Sequence, residues 1–180
     1  MSQQSQRPDQ QDSLSTAQVA PFCLVTVVDP KGLYALLESA KEPGALSSYQ
    51  DSHPWMVAAR LLSQARELGL QLPLCLATEG AELVLSHWAM IEQIDVLELS
   101  GKRFSSRIRF GPLAKIPAIF EPLDSLFLKP ADEQLEREYK EGIRSHRHAL
   151  GEAYIRPYAI CESPGFISGL ADWHLVLPTR

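Results

Sequence analysis

The sequence predicts an α+β fold: a mixed, mainly antiparallel β pseudo-barrel or curved sheet flanked by helices. Two observations support this class. Apolar runs dense in β-branched residues outnumber the segments with helical spacing, and most of these runs follow one another through short turns instead of alternating with helices. The chain has 180 residues, of which 45% are hydrophobic, and this suits one compact domain with a sizeable core.

The first twenty residues differ in composition from the rest. They are rich in Gln, Ser and Asp and offer almost nothing to bury, so we expect a disordered polar tail over 1–20 and a single α+β domain over 21–180. The chain contains no run of about 20 apolar residues, and its start lacks the basic and apolar segments of a secretory signal. We therefore expect a cytoplasmic protein without membrane association.

The first half of the domain predicts one buried strand and two helices. The run FCLVTVV is continuously apolar and rich in β-branched residues, which favours a strand buried on both faces. A short helix follows over GLYALLESA, and EPGALSSYQDSH has the Pro, Gly and Ser content of a loop. Pro54 suits the first turn of a helix that runs to about Gly69, in which Trp55 is expected to anchor the core.

The second half predicts a series of strands around one helix. LPLCLAT is a strand, ELVLSHWAMIEQIDVLELS holds one or two, and Gly101 turns the chain into RFSSRIRF. Four prolines keep GPLAKIPAIFEPLDSLFLKP extended or looped, with LFLK a candidate edge strand. A helix over about Asp132 to Leu150, with a bend or break at Gly142, comes before strands in YIRPYAICE and DWHLVLP. Its spacing would turn five residues to the core: Leu135, Tyr139, Ile143, His146 and Leu150.

The strand RFSSRIRF has the clearest alternation in the chain. Phe104, Ser106, Ile108 and Phe110 share one face, and the other face carries three arginines with Ser105: Arg103, Arg107 and Arg109. The charge of the whole chain is −5, but residues 102–156 hold eleven Lys/Arg against eight Asp/Glu, a local net charge of +3, and the remainder carries −8. Such a basic segment is typical either of a solvated surface or of a site for an anionic partner.

The sequence predicts no metal site and no cofactor. Cys23, Cys75 and Cys161 are far apart and embedded in apolar runs, which is typical of buried, reduced cysteines. The five histidines include His146 and His148, which would point in nearly opposite directions on a helix and so could not share a metal. No phosphate loop, dinucleotide fingerprint, HExxH or GxSxG is present, so an enzyme is less favoured than a binding protein.

The layout of elements supplies a family resemblance. A first apolar strand, helices, turn-linked strands with Trp88 at their centre (LVLSHWAMIEQIDVLEL), an arginine-bearing strand and a late return strand (YIRPYAIC) together resemble the small β-barrels of the PUA-like superfamily, which includes EVE and ASCH domains. The resemblance spans most of residues 21–177 and carries no motif that transfers residue roles individually. It implies a pseudo-barrel flanked by helices, with a cleft that binds RNA or a modified base in DNA through aromatic and basic side chains.

The residues point to the same class of function. Proteins that bind nucleic acid without a signature motif combine cations for phosphates with flat side chains for bases. The candidate set is six arginines and three aromatic residues: Arg103, Arg107, Arg109, Arg144, Arg147, Arg156, Trp88, Tyr158 and Trp173. Trp88 is more typical of a core residue than of a stacking platform. Arg156 is more typical of a strand-end fork that bonds free carbonyls or pairs with Glu152 or Glu162.

Two alternatives stay open. The first is an inhibitor or adaptor that binds a protein partner through acidic residues, including Glu79, Glu82, Glu92, Asp95 and Glu98. The second is a small hydrolase or nuclease, for which a serine with His87 and Glu92 is one of many possible sets. That activity would require a cleft in which a histidine lies beside a carboxylate.

Overall fold

The computed structural model describes residues 18–168 and has the α+β architecture predicted from the sequence. In the described part, seven strands form one sheet with the order β3-β7-β6-β5-β2-β9, and the short β8 pairs with β6. The pairing is antiparallel except between β2 and β5. These strands are β2 (Phe22–Val28), β3 (Ser47–Asp51), β5 (Pro73–Thr78), β6 (Val84–Leu99), β7 (Arg103–Phe110), β8 (Ala114–Lys115) and β9 (Ala159–Glu162).

The remaining elements cover this sheet. A separate parallel pair joins β1 (Gln18–Val19) to β4 (Leu70–Gln71), and Ala20 is buried, so residues 18–20 belong to the folded domain and not to a polar tail. The helices are α1 (Pro30–Ser39), α2 (Met56–Glu67), α3 (Asp132–Glu141) and the short α4 (Gly165–Ser168). Asp29 caps α1 by accepting a hydrogen bond from the backbone of Gly32.

Strands β2 and β5 are buried on both faces, as their continuous apolar sequences predict. Leu24 and Val28 of β2 pack with α1 and α2 in one core, and Cys23, Val25 and Val27 pack in a second core on the opposite face. Trp55 is fully buried in the first core, which confirms its predicted role. The parallel pair therefore forms the centre of the domain.

Strand β6 is one continuous strand of 16 residues that serves two parts of the sheet. Its first half pairs with β5 and β8, and its second half pairs with β7, with a register shift between Ile91 and Gln93. Such a bulge bends a strand and raises its twist, so the sheet curves here. We call residues 91–99 and 103–110 together the β6–β7 ribbon. Strand β3 pairs with β7 and forms the outer edge.

The sheet is curved but open, because β3 and β9 lie at opposite ends of the strand order within the described residues. Of the two predicted arrangements the curved sheet is therefore correct, and a closed barrel is absent from residues 18–168. The segment LFLK, a candidate edge strand, lies beside β9 but forms only isolated bridges, such as that from Leu128 to Cys161. The predicted strand DWHLVLP, with Trp173, falls outside the described residues.

Two predicted segments differ from the structure. The expected loop EPGALSSYQDSH contains β3, whose residues owe their extended conformation to pairing with β7. The expected helix over 132–150 ends at Glu141, because Gly142 has a φ of +66° and forms a left-handed C-cap. Tyr139, inside this helix, and Ile143, just beyond its end, are both exposed, although helical spacing had assigned them to the core.

The three cysteines meet in the second core. Cys23 faces Cys161 across the β2–β9 pair, Cys75 lies on the neighbouring β5, and all three are free thiols with no exposed surface. Burial raises the pKa of Cys161 to about 12, and a hydrogen bond with Cys75 together with burial raises the pKa of Cys23. The predicted buried cysteines are confirmed.

Candidate nucleic-acid interface

The exposed side of β7 carries the three predicted arginines. Ser106, Ile108 and Phe110 are buried on the inner side, whereas Arg103 and Arg107 are exposed and Arg109 is half-buried on the outer side. The alternation predicted from RFSSRIRF is therefore confirmed.

The neighbouring strands complete this outer surface. Residues directly opposite each other in antiparallel strands share a face, so Ser48 and Gln50 of β3 flank the arginines on one side. On the other side lie four residues of β6: Gln93, Asp95, Leu97 and Leu99. We call this surface, made of the outward residues of β3, β7 and residues 93–99, the arginine face.

The arginine face is basic. Its three arginines are opposed by Asp95, which leaves an excess of two positive charges. A guanidinium nitrogen of Arg109 lies 3.2 Å from a carboxylate oxygen of Asp95, and Gln93 donates to the other oxygen at 2.6 Å. The hydrogen bond from Gln93 and, after it, the one from Arg109 lower the pKa of Asp95, so this carboxyl stays ionised at neutral pH.

The arginines differ in how far they are neutralised. Arg107 makes no direct ion pair within residues 18–168, whereas Arg109 is held by Asp95. The Nε of Arg109 is buried and has no hydrogen-bond acceptor among the described residues. Arg103 likewise makes no ion pair within residues 18–168, and its Nε donates only to the backbone carbonyl of Ser100 at 3.3 Å. Arg103 and Arg107 are therefore the arginines of this face most available to an anionic ligand.

A groove lies at the tip of the ribbon. Gly101 and Lys102, with φ values of +75° and +59°, form the turn between β6 and β7. The groove has a volume of about 680 Å³ and is lined by residues of this turn and of the segment after β3: Ser52, Pro54, Leu99, Lys102, Arg103 and Phe104. Two cations therefore stand beside an open groove at the end of the arginine face.

Arg144 and Arg147 belong to a different part of the molecule. The guanidinium of Arg147 forms two bonds with Glu138 of α3, at 2.6 and 2.7 Å, and its Nε donates to Glu162 of β9 at 2.8 Å. These three side chains are only 9–10% exposed. Arg144 adds a bond to Glu162 at 3.0 Å from the surface. We call these four residues the Glu138–Arg147 network; its geometry fits a structural role for Arg147.

Arg156 pairs with neither of the expected glutamates. Its guanidinium lies 2.5 Å from the carboxylate of Glu79, and both side chains are more than half exposed. The carbonyl of the following Pro157 is bonded by the hydroxyl of Thr26 at 2.7 Å. Arg156 therefore joins two loops at the surface, away from the arginine face.

The described aromatic candidates are packing residues. Tyr158 lies with its ring centroid 4.4 Å from that of buried Trp55, and its hydroxyl accepts a hydrogen bond from the backbone of Ala58 at 3.2 Å. Trp88 is half-buried and packs edge-on against Phe166 beside the second core. Neither ring lies on the arginine face, and Trp173 is outside the described residues.

The histidines show one pair that sequence analysis missed. His53 bonds Asp51 through its Nδ1 at 2.7 Å, at the end of β3. The signal available was the Asp-x-His spacing, since two residues of a strand end that are two apart share one side. His146 and His148 lie in a non-helical segment with their ring centroids 5.3 Å apart, so the prediction that they point apart is wrong. Among residues 18–168, no three His, Cys, Asp or Glu side chains are grouped so that they could hold a metal ion.

The acidic residues of the alternative protein-binding surface are dispersed. Glu79 and Asp95 are held by arginines, and Glu82, Glu92 and Glu98 are exposed at separate points of the β5–β6 connection and of β6.

None of the helices in the described part of the chain is long and apolar enough to cross a membrane. Searches against protein-family models, curated proteins and solved structures return no match.

Proposed function

We propose that this protein binds nucleic acid by contacting the phosphate backbone with the arginine face. The observation that carries the proposal is the alignment of Arg103, Arg107 and Arg109 on one exposed strand surface opposed by Asp95. Like charges at this spacing repel one another, and a chain of phosphates relieves that repulsion along the whole strand.

The chemistry of the surface favours backbone contacts over base readout. Guanidinium groups bind phosphate oxygens in a bidentate manner, and the flanking Ser48, Gln50 and Ser105 offer further hydrogen-bond donors. The aromatic candidates within residues 18–168, Trp88 and Tyr158, pack elsewhere, so neither offers its ring to a base at this surface. The element layout of the sequence, which resembles that of PUA-like domains, implies the same ligand class, RNA or DNA.

The test is fluorescence anisotropy with a labelled single-stranded RNA and a DNA of the same sequence, at several salt concentrations. The Arg107→Ser, Arg109→Ser double variant should bind more weakly, and its plot of log K against log salt should flatten by roughly 1.4–1.8, since each phosphate contact contributes about 0.7–0.9. The control variant Arg60→Ser, Arg137→Ser removes two exposed arginines from helices. It should keep most of the wild-type slope of log K against log salt.

A second variant should act in the opposite direction. Asp95→Asn removes the carboxylate that holds Arg109 and raises the net charge of the arginine face by one, so affinity should increase and the salt dependence should steepen. The proposal fails if the wild type shows no binding at about 50 mM salt, where such contacts are strongest. It also fails if the two double-arginine variants lose affinity equally. The alternative of a protein partner would then take its place.

A further inference from the structure

Two leucines interrupt the polar pattern of the arginine face. A strand with one buried and one solvated side normally carries polar residues outward, yet Leu97 and Leu99 of β6 lie on the outer side, 60% and 40% exposed. Their register partners on β7 are Ser105 and Arg103, and neither leucine belongs to a core of the described residues. Single exposed leucines are common on protein surfaces, but two neighbours on one face form an apolar patch, which is typical of a contact surface.

The patch continues into the groove at the ribbon tip. Leu99 lines this groove together with Pro54 and Phe104, and the cations Lys102 and Arg103 line it too. No carboxylate is among the described residues that line the groove. An apolar surface that is bordered by cations and free of acids fits a ligand in which flat apolar groups are joined to negative charges.

The arginine face also has the spacing of an extended chain of phosphates. Residues two apart on one side of a strand lie about 6.8 Å from each other, which places Ser105 and the three arginines of β7 in a nearly straight row. Gln50 donates to the Ser105 hydroxyl at 3.3 Å, so the hydroxyl proton remains available to a phosphate oxygen. Adjacent phosphates of an extended single strand lie at a similar distance, whereas those of a duplex follow helical paths and depart from a straight row.

The leucines lie one strand spacing to the side of this row. Neighbouring strands are about 4.8 Å apart, so a nucleic-acid backbone that follows β7 can turn its bases over Leu97 and Leu99. On the other side of the row the flanking residues Ser48 and Gln50 are polar, and β3 ends at Asp51 before it reaches the tip. The apolar faces of bases are open in a single strand and closed by stacking and pairing in a duplex.

We propose that the ligand of the arginine face is a single-stranded nucleic acid, whose phosphates follow the row on β7 while two of its bases lie on Leu97 and Leu99. This inference rests on the proposed function and adds to it the class of nucleic acid and an apolar subsite. The leucines contact base faces, which all bases have, so the subsite holds bases without reading their sequence.

The experiment measures the fluorescence anisotropy of one labelled DNA oligonucleotide as a single strand, as a duplex with its complement, and with abasic sites in place of its central bases. The wild type should bind the intact single strand most tightly. The variant Leu97→Ser, Leu99→Ser should bind this strand about 10-fold more weakly, because two apolar contacts are lost. Its slope of log K against log salt should stay at the wild-type value, since apolar contacts release no counterions. The variant should also bind the abasic and the intact strand equally.

The matched control is the variant Leu46→Ser, Leu68→Ser. It removes two leucines of similar exposure, 52% and 54%, that lie outside the arginine face, and it should bind every probe as the wild type does. Both variants should melt close to the wild type, because all four leucines are exposed.

The results separate this inference from the proposed function. The inference is lost, and the proposed function stands, if the wild type binds the duplex or the abasic strand as tightly as the intact single strand. The same holds if Leu97→Ser, Leu99→Ser binds the single strand like the wild type. If the wild type binds no oligonucleotide at about 50 mM salt, both are lost.

An anionic membrane is the other ligand that an apolar, basic surface fits. Vesicles of phosphatidylcholine and phosphatidylserine in equal amounts test it with the same two variants. Vesicle binding that depends on Leu97 and Leu99, together with oligonucleotide binding that does not, would assign the patch to a lipid surface and overturn the inference.

Discussion

Replacing Arg147 by Met tests whether this predicted ligand contact is instead a structural cation. The substitution removes the two bonds to Glu138 and the bond to Glu162 and leaves both carboxylates in a site where they are only 9–10% exposed. Breaking a buried pair by removing one partner costs about 3–5 kcal/mol. Because Arg144 still bonds Glu162 and the backbone N–H of Ser145 still bonds Glu138, the loss should lie toward the lower end of this range. At about 2–4 °C per kcal/mol for a chain of this size, the melting temperature should fall by roughly 6–20 °C.

The matched control is Arg144→Met. Arg144 makes one bond to Glu162, but its side chain is 64% exposed, so the loss of unfolding free energy should stay below about 1 kcal/mol. Urea denaturation and thermal melting of the two variants beside the wild type give the comparison directly. If Arg147→Met costs no more than Arg144→Met, the Glu138–Arg147 network does not join α3 to β9, and Arg147 returns to the candidate ligand contacts.

The effect of Arg147→Met on stability should depend on pH. The guanidinium of Arg147, opposed by burial and helped by Ser145, holds the pKa of Glu138 well below its ordinary value. A carboxyl with a lowered folded-state pKa contributes stability that is complete above its unfolded value, about 4.3, and is lost as the pH falls through the folded value. The variant lacks this contribution, so the stability difference from the wild type should shrink below about pH 4.

Three other changes have expected outcomes. The three cysteines should resist a thiol reagent at pH 8 until urea unfolds the chain, because they are fully buried and the pKa values of Cys23 and Cys161 are raised; labelling of any one in the native protein, detected by mass spectrometry, would contradict its burial. Arg156→Ala should cost less than about 1 kcal/mol, since its pair with Glu79 is exposed, and a loss of several kcal/mol would mean that it bonds backbone groups. Gly142→Ala should lower stability by about 1 kcal/mol because its φ is +66°, and an unchanged urea midpoint would show that the left-handed cap is dispensable.

The elements that sequence analysis predicted well are those whose pattern reflects burial directly. Phe22–Val28 is apolar at nearly every position because both faces of β2 lie in a core, and Arg103–Phe110 alternates because only one face of β7 does. In both cases the local pattern and the tertiary environment agree, so the boundaries of the strands were predicted to the residue.

The errors arise where distant partners decide the conformation. Ser47–Asp51 has the composition of a loop and becomes a strand through its ladder with β7, more than fifty residues later in the chain. The apolar residues Tyr139 and Ile143 keep helical spacing across Gly142, but neither side chain contacts a core. The left-handed conformation of Gly142 ends the helix between them. The burial of Arg147 depends on Glu138 and Glu162, whose proximity no local period encodes.

The candidate site was predictable only in part for the same reason. The arginine stripe is a property of one strand, and period-two alternation was enough to find it. The candidate set groups six arginines by charge alone, but the fold distributes Arg144, Arg147 and Arg156 to places apart from the arginine face. The Asp51–His53 pair was missed because its segment was interpreted as a loop, where spacing carries no direction.

The bend in β6 explains why function can be tested here independently of stability. The first half of β6 lies in the centre of the sheet, where Trp88 packs beside the second core, and Tyr158 packs on Trp55 in the first core. Removing either ring would lower stability and leave any loss of binding ambiguous. Beyond the bulge, the strand joins a ribbon with one buried face and one solvated face. Side chains on the solvated face are outside both cores, so Arg107 can be changed without creating a cavity. A loss of nucleic-acid binding at Arg107 with unchanged melting would therefore identify the arginine face itself as the ligand surface.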